Sequence, residues 1–214
     1  MKFIMPILAL SIVFAGFWSA PASTQSPAPN VLVKRDRTLF IYGPLVGSNV
    51  AVPSFFAQAE RLLADPSNTP VYVVLSSDGG DIEVGKAMQN RMDNLTAKGI
   101  QVTCVIVDSA QSAAFYLLAG CSKRLSLKSA RFMMHQIRWA ITNALLSASE
   151  LSQAAAELDM LNNATVAQLI VSMKPPMQTK FRDGFFATKE WTGEQLAKEF
   201  PSWIQLVDTI VYID

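Results

Sequence analysis

Ser112 follows the apolar run QVTCVIV and opens the small-residue stretch SAAFYLLAG. His135, the single histidine of the chain, ends the run RFMM. A serine hydroxyl attacking a carbonyl needs a base to take its proton, a group to orient that base, and donors for the oxyanion that forms. Ser112 and His135 supply the hydroxyl and the base. Donors are offered by Ser77-Asp78-Gly79-Gly80, a glycine-paired turn directly after the apolar run VYVVL. A carboxylate to orient the base is available at Asp183, in FRDGFF, where apolar neighbours are expected to hold it rigidly beside the imidazole.

Each of these residues also has a plainer reading. A serine at a helix start is usually an N-cap whose oxygen accepts from the first turn. Paired glycines make ordinary tight turns, because they alone enter positive φ without a steric penalty. A lone histidine is more often structural than catalytic, and by spacing alone Asp183 is not distinguished from Asp159 or Asp208. A phosphate cradle at Gly79-Gly80 is a further reading, but no Walker-type Lys-Ser/Thr follows it.

The elements that would have to position these groups are legible. VYVVL (71–75) and QVTCVIV (101–107) are too short and too β-branched for helices and read as strands buried on both faces. Between them Val84, Met88, Met92 and Leu95 recur at helical spacing until Gly99 stops the helix. RTLFIYG precedes as a further strand, and a helix is expected around Phe55 to Leu63 before the breaker cluster DPSNTP. A helix from about Ser112 to Ala119, then strands RLSL and RFMM, complete the alternation. Ala144 to Met173 is helix-forming, with Pro175-Pro176 ending it. Strands alternating with helices point to βαβ units and a largely parallel sheet, in which strand ends gather binding and catalytic groups.

Composition narrows the classes. The 214 residues are half hydrophobic, enough for one well-buried domain, and 18 Lys+Arg against 17 Asp+Glu leave a formal charge of +1. With no basic run to track a phosphate backbone, no nucleic-acid partner is expected. The first residues carry one Lys, an apolar run from Phe3 to Trp18 and the triplet Ala20-Pro21-Ala22, the order of a secretory signal cleaved after Ala22. Residues 1–22 are therefore expected to be a signal peptide, 23–37 a Pro/Ser-rich linker, and 38–214 the folded domain, exported to a periplasmic or extracellular space. An uncleaved segment would instead anchor the chain in the inner membrane, the one route by which membrane contact is expected. In an oxidising compartment Cys104 and Cys121 are expected to pair, the alternative being two buried thiols. Two Cys and one His are too few for a zinc site, and no metal or other cofactor is expected.

From Leu39 to Ile210 the chain resembles the proteolytic subunit of the Clp protease family, within the wider fold shared with signal peptide peptidase A and the crotonases. The segments LSSDGGDIEVGKAM, DSAQSAAFYLLAGCSKRLSL, SARFMMHQ, FRDGFF and LVDTI occur in the order of that family's glycine turn, nucleophile, histidine, aspartate and closing motifs. The resemblance implies an α/β fold: a Clp-protease/crotonase-like spiral of βαβ units with a largely parallel sheet and a protruding or packing C-terminal helix. It implies a triad of Ser112, His135 and Asp183, an oxyanion hole from backbone N–H groups of Gly79, Gly80 and Ala113, and a homo-oligomer acting on peptides or unfolded protein.

Three features of the chain depart from the family pattern. Asp78 stands where the family has proline, so a negative charge is expected near the oxyanion. Ala113-Ala114 replaces Met-Gly, and IRWAITNALL lacks the glycine-rich run that follows the family's histidine. Export also separates the chain from cytoplasmic ATP, so no ATP-driven unfoldase is expected as a partner. The rival classes are a catalytically inactive module of the same fold used for binding or assembly, a Ser-Lys dyad drawing on Lys174 or Lys180, and crotonase-type acyl-CoA chemistry.

Overall fold

The computed structural model of the chain describes residues 29–140 and 145–214, so the expected signal segment lies outside the described residues. In chain order the elements are β1 (Val31–Lys34), β2 (Thr38–Tyr42), α1 (Ala51–Ala64), β3 (Val71–Ser77), α2 (Ile82–Ala97), β4 (Val102–Gln111) and α3 (Ala113–Tyr116), which tightens into a 3-10 turn over Leu117–Gly120. There follow β5 (Lys123–Leu127), β6 (Arg131–Met134), α4 (Ala148–Ile170), α5 (Pro175–Ala187), β7 (Lys189–Thr192), α6 (Gly193–Glu199), β8 (Gln205–Val207) and β9 (Ile210–Ile213).

The main sheet runs β2-β3-β4-β5-β8 with every pairing parallel, and its branch is what builds the site. β4 is ten residues long and changes neighbour along its length. Thr103–Ile106 pairs with β5, while Ser109–Gln111 pairs with β6, again parallel. One strand thereby serves two turns of a spiral of βαβ units, and the second turn carries β6 to the end of β4 where Ser112 begins. β6 in turn pairs antiparallel with β7. Parallel strands covered on both faces need apolar residues throughout, and Val71, Val73, Val74, Leu75, Val102, Cys104, Val105 and Ile106 are all buried.

The helices follow local chemistry. Asp81 caps α2, its side chain accepting from Glu83 N at 2.8 Å, and Gly99 stops it at φ +87°. Ser147 and Glu150 form a capping box that starts α4 at Ala148, later than the expected Ala144. Pro175-Pro176 does more than end α4: it opens α5 in the first turn, where proline's missing N–H costs nothing. The first half of α4 is largely exposed, whereas Val166, Leu169 and Ile170 are buried.

Two expectations change. The linker does not reach residue 37, because Val31–Lys34 pairs in parallel register with Ile210–Ile213 and buries Val33 completely. The alternation of VLVK was enough to form a strand once a partner at the far end of the chain existed. The helix expected over Ser112 to Ala119 begins only at Ala113, since Ser112 itself is not helical. Cys104 in β4 and Cys121 after the 3-10 turn are joined in a disulfide with a Cα–Cα distance of 5.7 Å. It closes a loop that contains Ser112. Among the described residues no helix is long and apolar enough to cross a membrane.

Candidate functional site

Ser112 sits at φ 51°, ψ −125°, a combination that non-glycine residues enter only where the surroundings dictate it, at a cost of about 1–3 kcal/mol. Two contacts dictate it here. The Ser112 N–H donates to Met133 O of β6 at 2.8 Å, and Ser112 O accepts from Phe115 N at 2.9 Å. The residue is thus pinned between the end of a strand and the start of a helical turn. This sharp strand-to-helix geometry lifts a hydroxyl clear of the sheet. Its side chain caps nothing, so the ordinary N-cap reading does not apply.

Beneath it Phe115 packs against Phe132 of β6, Phe181 of α5, Trp191 of β7 and Trp203, with ring centroids 5.9–6.2 Å apart. Such aromatic contacts tie the turn to β6, α5 and β7.

The glycine turn lies against the same residue. A Cβ on Gly79 would stand 2.7 Å from both Gln111 O and Ser112 Cβ, and one on Gly80 would stand 2.7 Å from Leu45 O, so both positions require glycine on contact alone. Both also have positive φ, 98° and 147°. Their N–H groups differ in what they do. Gly79 N donates to Ser77 Oγ at 3.1 Å and is occupied. Gly80 N and Ala113 N have no acceptor among the described residues, and both residues line the groove that holds Ser112. Of the three expected oxyanion donors, the arrangement leaves Gly80 and Ala113 available, while Gly79 contributes by letting the turn approach Ser112.

His135 follows β6 and lines the same groove, about 610 Å³ in volume, together with Ser112, Ala113, Tyr116 and Arg138. No hydrogen bond joins Ser112 to His135. The imidazole Nδ1 instead faces the carbonyl of Gln136, which only accepts, so a neutral ring in this pairing carries its proton on Nδ1 and leaves Nε2 as the acceptor. That is the tautomer a general base toward a serine needs.

Two residues that sequence reasoning missed fix the backbone here. The Tyr116 hydroxyl donates to His135 O, and Ile137 N donates to the buried Asn162 Oδ1 of α4 at 2.7 Å. Burial holds the Tyr116 phenol well above its ordinary pKa, so it stays a donor. Tyr116 lies one helical turn after Ser112, a spacing that offered the only hint; Asn162 had no sequence signal at all.

Asp183 is not brought to this group. α5 buries Phe181, Gly184 and Phe185, and that helical phase turns Asp183 outward, exposed, lining neither the groove of Ser112 nor the adjoining one that also contains His135. The apolar neighbours in FRDGFF are the reason: they face the core, and the carboxylate between them must face away. Asp78, expected beside the oxyanion, is also elsewhere. Its carboxylate accepts from Gln111 Nε2 at 2.8 Å and lies 3.8 Å from Arg131, lining a separate groove with Ser76, Asp108 and Ser109.

Comparison with known proteins identifies the family. Residues 28–182 match the model of the Clp protease family. The chain is 26% identical over 183 residues to the ATP-dependent Clp protease proteolytic subunit 2 of Borreliella burgdorferi, covering 83% of this chain and 86% of that protein. It is 31% identical over 160 residues to the subunit of the same name from Prochlorococcus marinus, covering 72% of this chain and 77% of that one.

Proposed function

We propose, since this chain belongs to the Clp protease family, that Ser112 and His135 form a serine peptidase site that cleaves peptides and unfolded polypeptide segments without an ATP-driven unfoldase. The family's activity is proteolysis; the reading here concerns how this chain performs it. His135 Nε2 takes the proton of Ser112 Oγ as the oxygen attacks the scissile carbonyl, and the N–H groups of Gly80 and Ala113 receive the oxyanion. The proton then passes from the imidazole to the leaving amine, and water repeats the cycle on the acyl-enzyme. The observation that carries this reading is the backbone of Ser112, held in a disfavoured conformation at a groove that it shares with His135 and two unengaged N–H donors.

An extended peptide laid along the groove would bind chiefly through its main chain, giving little sequence selectivity. Independence from an unfoldase is supported by the N-terminal sequence, whose order of charge, apolar run and Ala-Pro-Ala is that of an exported protein working away from ATP. Homo-oligomer formation is supported by the habit of the family and by the exposed apolar residues Leu145, just before α4, and Leu151 and Met160 on it.

Ser112→Ala is the direct test. It is expected to lower peptide hydrolysis by at least about a thousandfold and to abolish labelling by a fluorophosphonate, with an unchanged melting temperature. Wild-type turnover in that variant, or a wild-type protein that refuses the label, would instead favour a non-catalytic binding module of the same fold.

A further inference from the structure

With Asp183 turned outward, the base needs another partner, and the strand pairing identifies it. β6 and β7 run antiparallel with Met133 opposite Glu190 and Met134 opposite Lys189. Carried one residue outward, that register sets Thr188 across from His135. Directly opposed residues of an antiparallel pair present their side chains on one face, with Cα atoms about 4.5–5.5 Å apart. Thr188 and His135 do line one cavity, with Gln136, Phe186 and Leu158.

A second observation singles out the same residue. Among the described residues only Ser112, Thr188 and Ser202 adopt positive φ without being glycine. Thr188 does so at φ 57°, ψ 108°, at the end of α5. For a β-branched side chain this is a marked outlier, the kind of local strain that persists where the surroundings hold a residue for a purpose. The chain reverses sharply there because α5 presses on β6 and β7: a Cβ on Gly184 would stand 3.0 Å from Met134 Cε and 3.3 Å from Lys189 Cδ. The strained residue is therefore the one delivered beside the imidazole.

We infer that His135 is oriented by neutral oxygens, the Gln136 carbonyl and the Thr188 hydroxyl, in place of a carboxylate, and that Thr188 is the positioning residue of the site. This rests on the Ser112–His135 reading. A neutral oxygen can accept Nδ1–H and so fix the tautomer, but it adds no anion to stabilise the imidazolium formed when Nε2 takes the serine proton. The chain is then a slower peptidase than one with a buried acid, and its rate has room to rise.

The test uses the purified full chain, a fluorogenic peptide and a fluorophosphonate. Thr188→Val is expected to lower kcat about tenfold with little change in KM, Thr188→Ser to stay near wild type, and Asp183→Asn to change nothing. Thr188→Asp is expected to raise kcat and to move the acid limb of the pH profile of kcat/KM upward, because a carboxylate beside the ring favours its protonated form. A merely structural role for Thr188 would not move that limb.

Wild-type kcat and pH profile in Thr188→Val overturn the inference, as does a loss of about a hundredfold in Asp183→Asn. If the valine variant melts early, Thr188→Ser against Thr188→Ala isolates the hydroxyl, and equal kcat in that pair overturns it too. Failure of the underlying reading looks different: wild type itself would not label at Ser112.

Discussion

The two halves of the site are built by different means. On the nucleophile side the backbone does the positioning. Ser112 is fixed by main-chain hydrogen bonds to Met133 and Phe115, and Gly79 lets the oxyanion turn lie directly against it while Gly80 packs on Leu45. On the base side the fixing is done by side chains from distant elements. The Tyr116 hydroxyl holds His135 O, the Asn162 amide oxygen holds Ile137 N, and Thr188, between α5 and β7, is set opposite His135 by the pairing of β7 with β6. A backbone-built half tolerates little change at its few contact points. A half built from side chains can exchange one polar partner for another, and here a hydroxyl stands where an acid was expected.

Gly79→Ala breaks the rigid half most severely. Its Cβ would meet Gln111 O and Ser112 Cβ at 2.7 Å, and φ +98° is itself unfavourable to alanine. Gln111 O is backbone and Ser112 is already pinned, so neither can yield without moving the nucleophile. Peptide hydrolysis and fluorophosphonate labelling are expected to fall at least about a hundredfold, while circular dichroism still reports a folded α/β protein.

The same division decides what could be read from the sequence. VYVVL, QVTCVIV, the helix after Gly80 and the serine at the strand end are local patterns, and the parallel sheet and the Ser112–glycine contact follow from them. Asp183 is singled out only by the likeness of FRDGFF to the family's aspartate motif, and its apolar neighbours form the core face of a helix on which the acid is exposed. Thr188 was silent: nothing in ATKEW marks a residue whose place depends on an antiparallel pairing between strands far apart in the chain. β1 went unseen for the same reason, since its partner β9 lies at the other end of the domain. Side-chain fixing across distant elements leaves no local period to detect.

A smaller effect is expected from the disulfide, which encloses the nucleophile half alone. Cys104–Cys121 closes a loop with a sequence separation of 17 that carries Ser112 and all of α3. Confining a loop of that length in the unfolded chain is worth about 3 kcal/mol. Mild reductant, or Cys104→Ala with Cys121→Ala, is therefore expected to lower the free energy of unfolding by about that amount, read from denaturant titrations. Activity per folded molecule should hold to within about twofold, because the main-chain bonds at Ser112 do not involve either sulfur. A loss of labelling that outruns the loss of fold would show that the nucleophile half depends on the cross-link as well as on its backbone.

The smallest change is expected at Asp78, the residue whose charge the sequence set beside the oxyanion. Its carboxylate is tethered to Gln111 Nε2 and faces Arg131, which also pairs with Asp108 at 3.2 Å, and it lines a groove separate from that of Ser112. These groups are exposed, so water and salt screen what field reaches the active groove, and the nearby guanidinium offsets it further. Asp78→Asn keeps the shape and an oxygen acceptor for Gln111 while removing the charge. Its kcat/KM is expected to stay within about threefold of wild type, with no change in salt dependence. A tenfold gain that vanishes at high salt would mean that the carboxylate does act on the oxyanion, and that the backbone half of the site is tuned by a charge it does not touch.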